Sequence, residues 1–241
     1  MRHLVTDREL DALGEGVIRD YLRRNRGRHP LSIDIEGFIT EYLGLELFYE
    51  QFAEPDPGKI GYISDGKSPL FVYRGGQIRR IVFPEGAVVV EKYLLRNEES
   101  GRRRFTLAHE AAHRILEKHI PLQSAGYFHN DFDREQIYSF QELHELFCLN
   151  EVWANRLGAA LLMPEFLLER AVKRFHGGAP VRCYGDGIFS QEDKLSLQKI
   201  ADAMGVSYTA LVNRFRELEL LEYRPLEEYI EGDLGIRKGG A

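Results

Sequence analysis

Residues 109–113 read His-Glu-Ala-Ala-His, and the spacing of the two histidines carries a geometric consequence. Positions four apart on an α-helix differ by about 40° around the axis and by about 6 Å along it. Both imidazoles therefore leave the helix on one side and can offer two nitrogens to a single divalent cation. Glu110 follows the first histidine by one residue, which sets it beside the cation rather than on it, where a carboxylate can take a proton from water that the metal activates. The chemistry this supports is hydrolysis. The competing reading is a helix that merely happens to carry these residues. Its neighbours weigh against that: Phe105, Leu107, Ala108, Ala111, Ala112, Ile115 and Leu116 give the helix a broad apolar surface, in which unpartnered ionisable groups are costly.

A catalytic zinc takes a third protein ligand. His119, six residues beyond His113, is one candidate, but reaching the metal from there requires a sharp turn at residue 116, where glycine would be needed. Leu116 lets the helix continue and carries His119 about 240° around the axis from His113, so His119 reads as a helix-end residue. The other candidate is Glu151, which opens the segment EVWANRLGAALLMP, residues 151–164. The small residues of that segment suit close packing of one helix on another. Cys148, one turn before Glu151, reads as a small buried thiol.

Several elements must position these groups. Residues 7–24 place Leu10, Leu13, Val17, Ile18, Tyr21 and Leu22 at helical spacing, with Thr6 or Asp7 as N-cap. A short helix over 33–43 ends at Gly44. Segments 45–52, 59–63, 68–73 and 77–83 are rich in β-branched and aromatic residues and bounded by turn signals, which predicts a small twisted sheet. Residues 86–95 fit a strand or a helix equally. A buried helix spans 102–119, an aromatic-rich loop follows over 121–138, and a second long helix covers 141–162 and stops at Met163-Pro164. Glycine and proline cluster over 177–187, marking a boundary before a helical tail over 191–221. The fold class expected is α+β, a small sheet packed on helices and followed by a helical tail, with domains over 1–176 and 188–224.

Phe105 through Glu110 (FTLAHE) and Glu151 through Pro164 together resemble the paired signature of the ImmA/IrrE-type metallopeptidases, an RRFTLAHExxH helix joined to a later ExxAN-x-x-AAxLLMP helix. The strand-rich region before the motif and the helical tail after it are similar to that family as well, so the resemblance covers most of the chain. It implies a zincin-like core in which His109, His113 and Glu151 bind zinc, Glu110 is catalytic and Asn155 supports the ligands from behind. It also implies a protein substrate, with a helix-turn-helix transcriptional repressor as a candidate. The chain departs from the pattern where Arg156-Leu157-Gly158 replaces an aromatic–alanine pair, and where the segment between His113 and Glu151 is longer than usual. Within that segment Tyr127, His129, Tyr138 and His144 are each able to donate to a tetrahedral oxyanion; for any single one, packing or exposure is the commoner role.

In the tail, Ala201, Gly205 and Leu211 have helix-turn-helix spacing, with Ser207 as cap of the second helix. Tyr208, Thr209, Asn213 and Arg216 would be the groove contacts of a DNA-binding version. Glu192, Asp193, Asp202, Glu217, Glu219 and Glu222 surround that helix with negative charge, which favours packing or protein docking over phosphate contact. The whole chain carries a formal charge of -6, with 44% hydrophobic and 29% charged residues, a globular composition with no global attraction for nucleic acid. Two cysteines suit a reducing, cytoplasmic setting. The acids near the N-terminus and the lack of an apolar run of about 18 residues argue against a signal peptide and a membrane helix. Two functional readings stand: an intracellular zinc endopeptidase, and a non-proteolytic regulator whose tail binds DNA or a partner.

Overall fold

The computed structural model describes residues 6–25, 30–56, 58–119, 127–130 and 149–232. By contacts the chain falls into two compact units, Met1–Pro164 and Glu165–Ala241.

The first unit opens with helix α1, Asp7–Arg24. Thr6 caps it reciprocally: its side chain accepts from the Glu9 N–H, and the Thr6 N–H donates to the Glu9 carboxylate at 2.8 Å. Leu10, Gly14, Ile18 and Tyr21 form its buried stripe. The helix expected over 33–43 is a single turn, α2 (Ile35–Gly37), that widens into a π-helical turn over Phe38–Tyr42. Gly44 follows at φ 68°.

Six strands make one sheet: β1 (Leu47–Phe52), β2 (Lys59–Ile63), β3 (Leu70–Arg74), β4 (Gln77–Ile81), β5 (Val88–Glu91) and β6 (Tyr127–Asn130), in the order β4-β3-β1-β5-β2-β6. β1 and β5 are parallel and every other pair is antiparallel. The ambiguous segment 86–95 resolves into β5 and a 3-10 turn, Lys92–Leu95. Val88, Val89 and Val90 are all fully buried, as happens in a central strand covered on both faces. Glu91 closes the strand by accepting from the Phe52 N–H at 2.7 Å and the Lys92 N–H at 3.1 Å. The aromatic segment expected as loop contributes β6 as an edge strand.

The two faces of the sheet pack differently. Tyr62, Val89, Phe52, Leu70, Val72 and Phe83 cluster on one of them. Alternation along the strands sends Gly61 and its partner Val90 to the other, where α3 (Ser100–His119) packs on β2 and β5. Leu116 is buried and α3 runs through it without a turn as far as His119. Helix α4, Leu149–Leu162, packs along α3, and α1 also packs against α4.

The second unit contains α5 (Glu165–Phe175), β7 (Val181–Tyr184), α6 (Gln191–Met204), α7 (Tyr208–Glu217), β8 (Leu221–Arg224) and α8 (Leu226–Gly232). Helix α5, counted with the first domain in the reading of the sequence, lies here and packs on α6. Ser190 caps α6 by accepting from the Asp193 N–H. Gly205 ends that helix in the left-handed conformation, and Ser207 caps α7 by accepting from the Ala210 N–H. β7 and β8 pair in parallel, a feature the sequence reading did not include. On α7, Thr209, Asn213 and Arg216 are exposed and Tyr208 is half-buried. The chain is a mixed α+β fold, and no helix among the described residues is long and apolar enough to cross a membrane.

Candidate metal centre

His109 and His113 stand one turn apart on the buried side of α3, with ring centroids 4.5 Å apart and Nε2 atoms 2.9 Å apart. Glu151, near the start of α4, spans the pair: Oε2 lies 3.3 Å from His109 Nε2 and Oε1 lies 3.3 Å from His113 Nε2. The three ligand atoms all fall within 4.8 Å of one another. His109 is wholly buried and His113 nearly so, while the Glu151 side chain keeps 17% exposure.

Asn155, one turn beyond Glu151 on α4, completes the back of the site. Its Oδ1 accepts from His109 Nδ1 at 2.9 Å. An amide oxygen only accepts, so Nδ1 carries the proton and the Nε2 lone pair is turned toward the cluster. Burial by itself would raise the Glu151 pKa, but the hydrogen bonds and charges of His109 and His113 outweigh it and hold the carboxylate below its usual range. The donor set is therefore an oriented imidazole, a second imidazole and an ionised carboxylate converging on one point, and it fits a divalent cation of the zinc type with a coordination position to spare. Removing Asn155 would release the His109 ring. Asn155→Ala is expected to weaken metal affinity about 10–100-fold, measured by competition with a chromophoric chelator; an unchanged affinity would detach Asn155 from the site.

Glu110 is the neighbour that does not join the cluster. It is wholly buried, and neither carboxylate oxygen has a hydrogen-bond partner among the described residues. Burial, and secondarily the negative charge of Glu151, push its pKa well above the usual carboxylate value. A buried acid left unsatisfied beside a cluster of ligands is costly to maintain for packing alone and marks a candidate functional group.

Close approach of α4 to α3 is what brings Glu151 to the histidines, and it depends on Gly158. A Cβ there would stand 3.1 Å from the His109 backbone nitrogen and 3.2 Å from its Cα, so a larger residue would push the helices apart at the level of the first ligand. On the other side of α4, a Cβ on Gly14 of α1 would meet the Ala160 Cβ at 2.7 Å. Arg156 forks onto the Asp11 carboxylate of α1, its Nε donating at 3.2 Å. The departure from the family pattern at residues 156–158 thus has a physical account: Arg156 ties α4 to α1, Leu157 is buried, and Gly158 seats α4 on α3.

The remaining candidates divide by position. His119 is the last residue of α3, and Tyr127 and His129 sit on β6; Tyr138, His144 and Cys148 lie outside the described residues. Of two glycines that shape the site, Gly61 was missed in the sequence and Gly158 was read only as one of the small residues suited to helix packing. A glycine inside the strand KIGYI was the available signal for the first, since such a glycine often marks a close approach. For Gly158 the small residues of 151–164 signalled close helix packing, but not which helix it faces.

A peptidase family model, Peptidase_M78, described as the IrrE N-terminal-like domain, matches residues 92–216, a little over half the chain. Among curated proteins none matches. Since the matched span takes in α3, α4 and nearly all of α7, the ligand cluster lies within it, and the chain belongs to the IrrE N-terminal-like peptidase family.

Proposed function

We infer that this chain is a zinc-dependent endopeptidase of the cytoplasm, with His109, His113 and Glu151 as metal ligands and Glu110 as catalytic base. The observation that carries the reading is the convergence of one carboxylate from α4 on two imidazoles from α3. Bound by these three groups, zinc would supply Lewis-acid activation of water and of the scissile carbonyl. Glu110 takes the proton from the attacking water and passes it to the leaving amine, a task suited to a buried carboxylate beside the ligand cluster whose oxygens have no hydrogen-bond partner among the described residues. Glu151 stays ionised and holds its place between the histidines, while Asn155 keeps His109 in the tautomer that points Nε2 inward.

In this reading the first unit is a zincin-like core, and α6, Gly205 and α7 form a helix-turn-helix-like unit that docks protein. The exposed acids Glu192, Asp202, Glu217 and Glu219 around it support docking over contact with phosphates. The substrate is a protein, with a helix-turn-helix transcriptional repressor as first candidate. Incubating the purified full chain with repressors encoded nearby should give a discrete cut that a chelator abolishes and added zinc restores. A cut that persists in chelator at the same rate would remove the metal from the reaction.

A further inference from the structure

Gly61 sits in the middle of β2, where a glycine weakens a strand unless something else needs the space. The backbone does not need it, because Gly61 lies outside the positive-φ region. The space is taken by Glu110. A Cβ on Gly61 would overlap Glu110 Oε1, stand 2.9 Å from Glu110 Cδ and 3.0 Å from Thr106 Cγ2. These are its three nearest atoms, and none belongs to a metal ligand.

The strand register changes at the same place. Lys59 pairs with Asn130 and Tyr62 with Phe128, so Ile60 and Gly61 together stand opposite His129 alone. On the other side the ladder is regular, with Gly61 opposite Val90. A one-residue bulge of this kind bends a strand locally and re-aims what it carries. Here the bend falls at the residue lying over the Glu110 carboxylate, whose oxygens have no hydrogen bond among the described residues to fix them.

We propose that Gly61 is the positioning residue for Glu110: the missing side chain and the bulged backbone of β2 form the seat that sets where the carboxylate stands relative to the ligand cluster. The proposal rests on the reading of Glu110 as the base. A methyl group at position 61 displaces the carboxylate and leaves the three ligands untouched.

Four full-length proteins test this: wild type, Gly61→Ala, Glu110→Ala and the double variant, each measured for Tm, zinc content, and kcat and KM on a fluorescent casein or a repressor. Against Glu110, Gly61→Ala should lower Tm by about 2–4 °C and cut kcat at least about tenfold, an effect of misplaced proton transfer, with zinc content and KM held. In the Glu110→Ala background the same substitution should lower Tm less or not at all, because the overlap with Glu110 is gone, only Thr106 Cγ2 remains close, and alanine loses less backbone freedom than glycine. The double variant also guards against a single variant that fails to fold. Equal Tm shifts in the two backgrounds would overturn the seat, whatever the cleavage assay shows. Full kcat in Gly61→Ala would overturn the positioning role. Coupled Tm shifts in a protein that cuts nothing would keep the seat and remove the peptidase reading.

Discussion

Glu110→Gln is expected to retain its zinc and to lose turnover by about 10²–10⁴-fold. Glutamine matches glutamate in shape, so it fits the same seat against β2, but its amide cannot accept and return a proton. The ligands do not depend on it: the three atoms that converge belong to His109, His113 and Glu151. A neutral amide in place of a buried carboxyl whose oxygens lack partners removes the cost of burying a charge but not that of burying a polar group, so Tm should change little. Elemental analysis beside a timed cleavage assay separates these effects. Proteolysis at the wild-type rate with zinc in place would mean that another group is the base.

Glu151→Ala should have the opposite profile, with metal lost first and activity lost as a result. Among the described residues Glu151 contributes the only carboxylate of the cluster and the only ligand from α4. Without it, two imidazole nitrogens 2.9 Å apart are left to bind the ion alone, and α3 supplies every protein contact. The fall in affinity should exceed the roughly 10–100-fold that losing a supporting partner costs, so a dialysed sample should carry only a small fraction of the wild-type zinc. Full occupancy by elemental analysis would place the third ligand elsewhere. Comparing the two variants distinguishes a base from a ligand, because only Glu151→Ala should empty the site.

The sequence disclosed the parts of this architecture whose periodicity is local. α1 runs over the residues its apolar spacing indicates, with the Thr6 and Glu9 cap in place, and α3 carries no proline and no glycine beyond Gly101 in its first turn. Segment 86–95 stayed ambiguous because β5 is buried on both faces, which erases the alternation that distinguishes a strand. β7 and β8 were overlooked because each has four residues, too few for a pattern to register. At the site, the 109–113 spacing is readable because one helix turn determines it. Glu151 lies 42 positions after His109 by numbering, and no local rule joins them; helix geometry set His119 aside at Leu116, but that Glu151 is the partner came from the family resemblance. Gly61 needed knowledge of which strand lies over which helix.

Helix α1 and strands β1 to β5 precede residue 92, where the family match begins. Yet α1 buttresses α4 through Gly14 against Ala160 and through Asp11 against Arg156, and β2 contributes the glycine over Glu110. A fragment excised at the matched span would keep the two histidines and both glutamates, but it would bare the apolar flank of α4 to water and leave Glu110 without a floor. The chemistry is inscribed in the matched residues, and the rigidity that makes it usable is lent by the ninety or so that come before them.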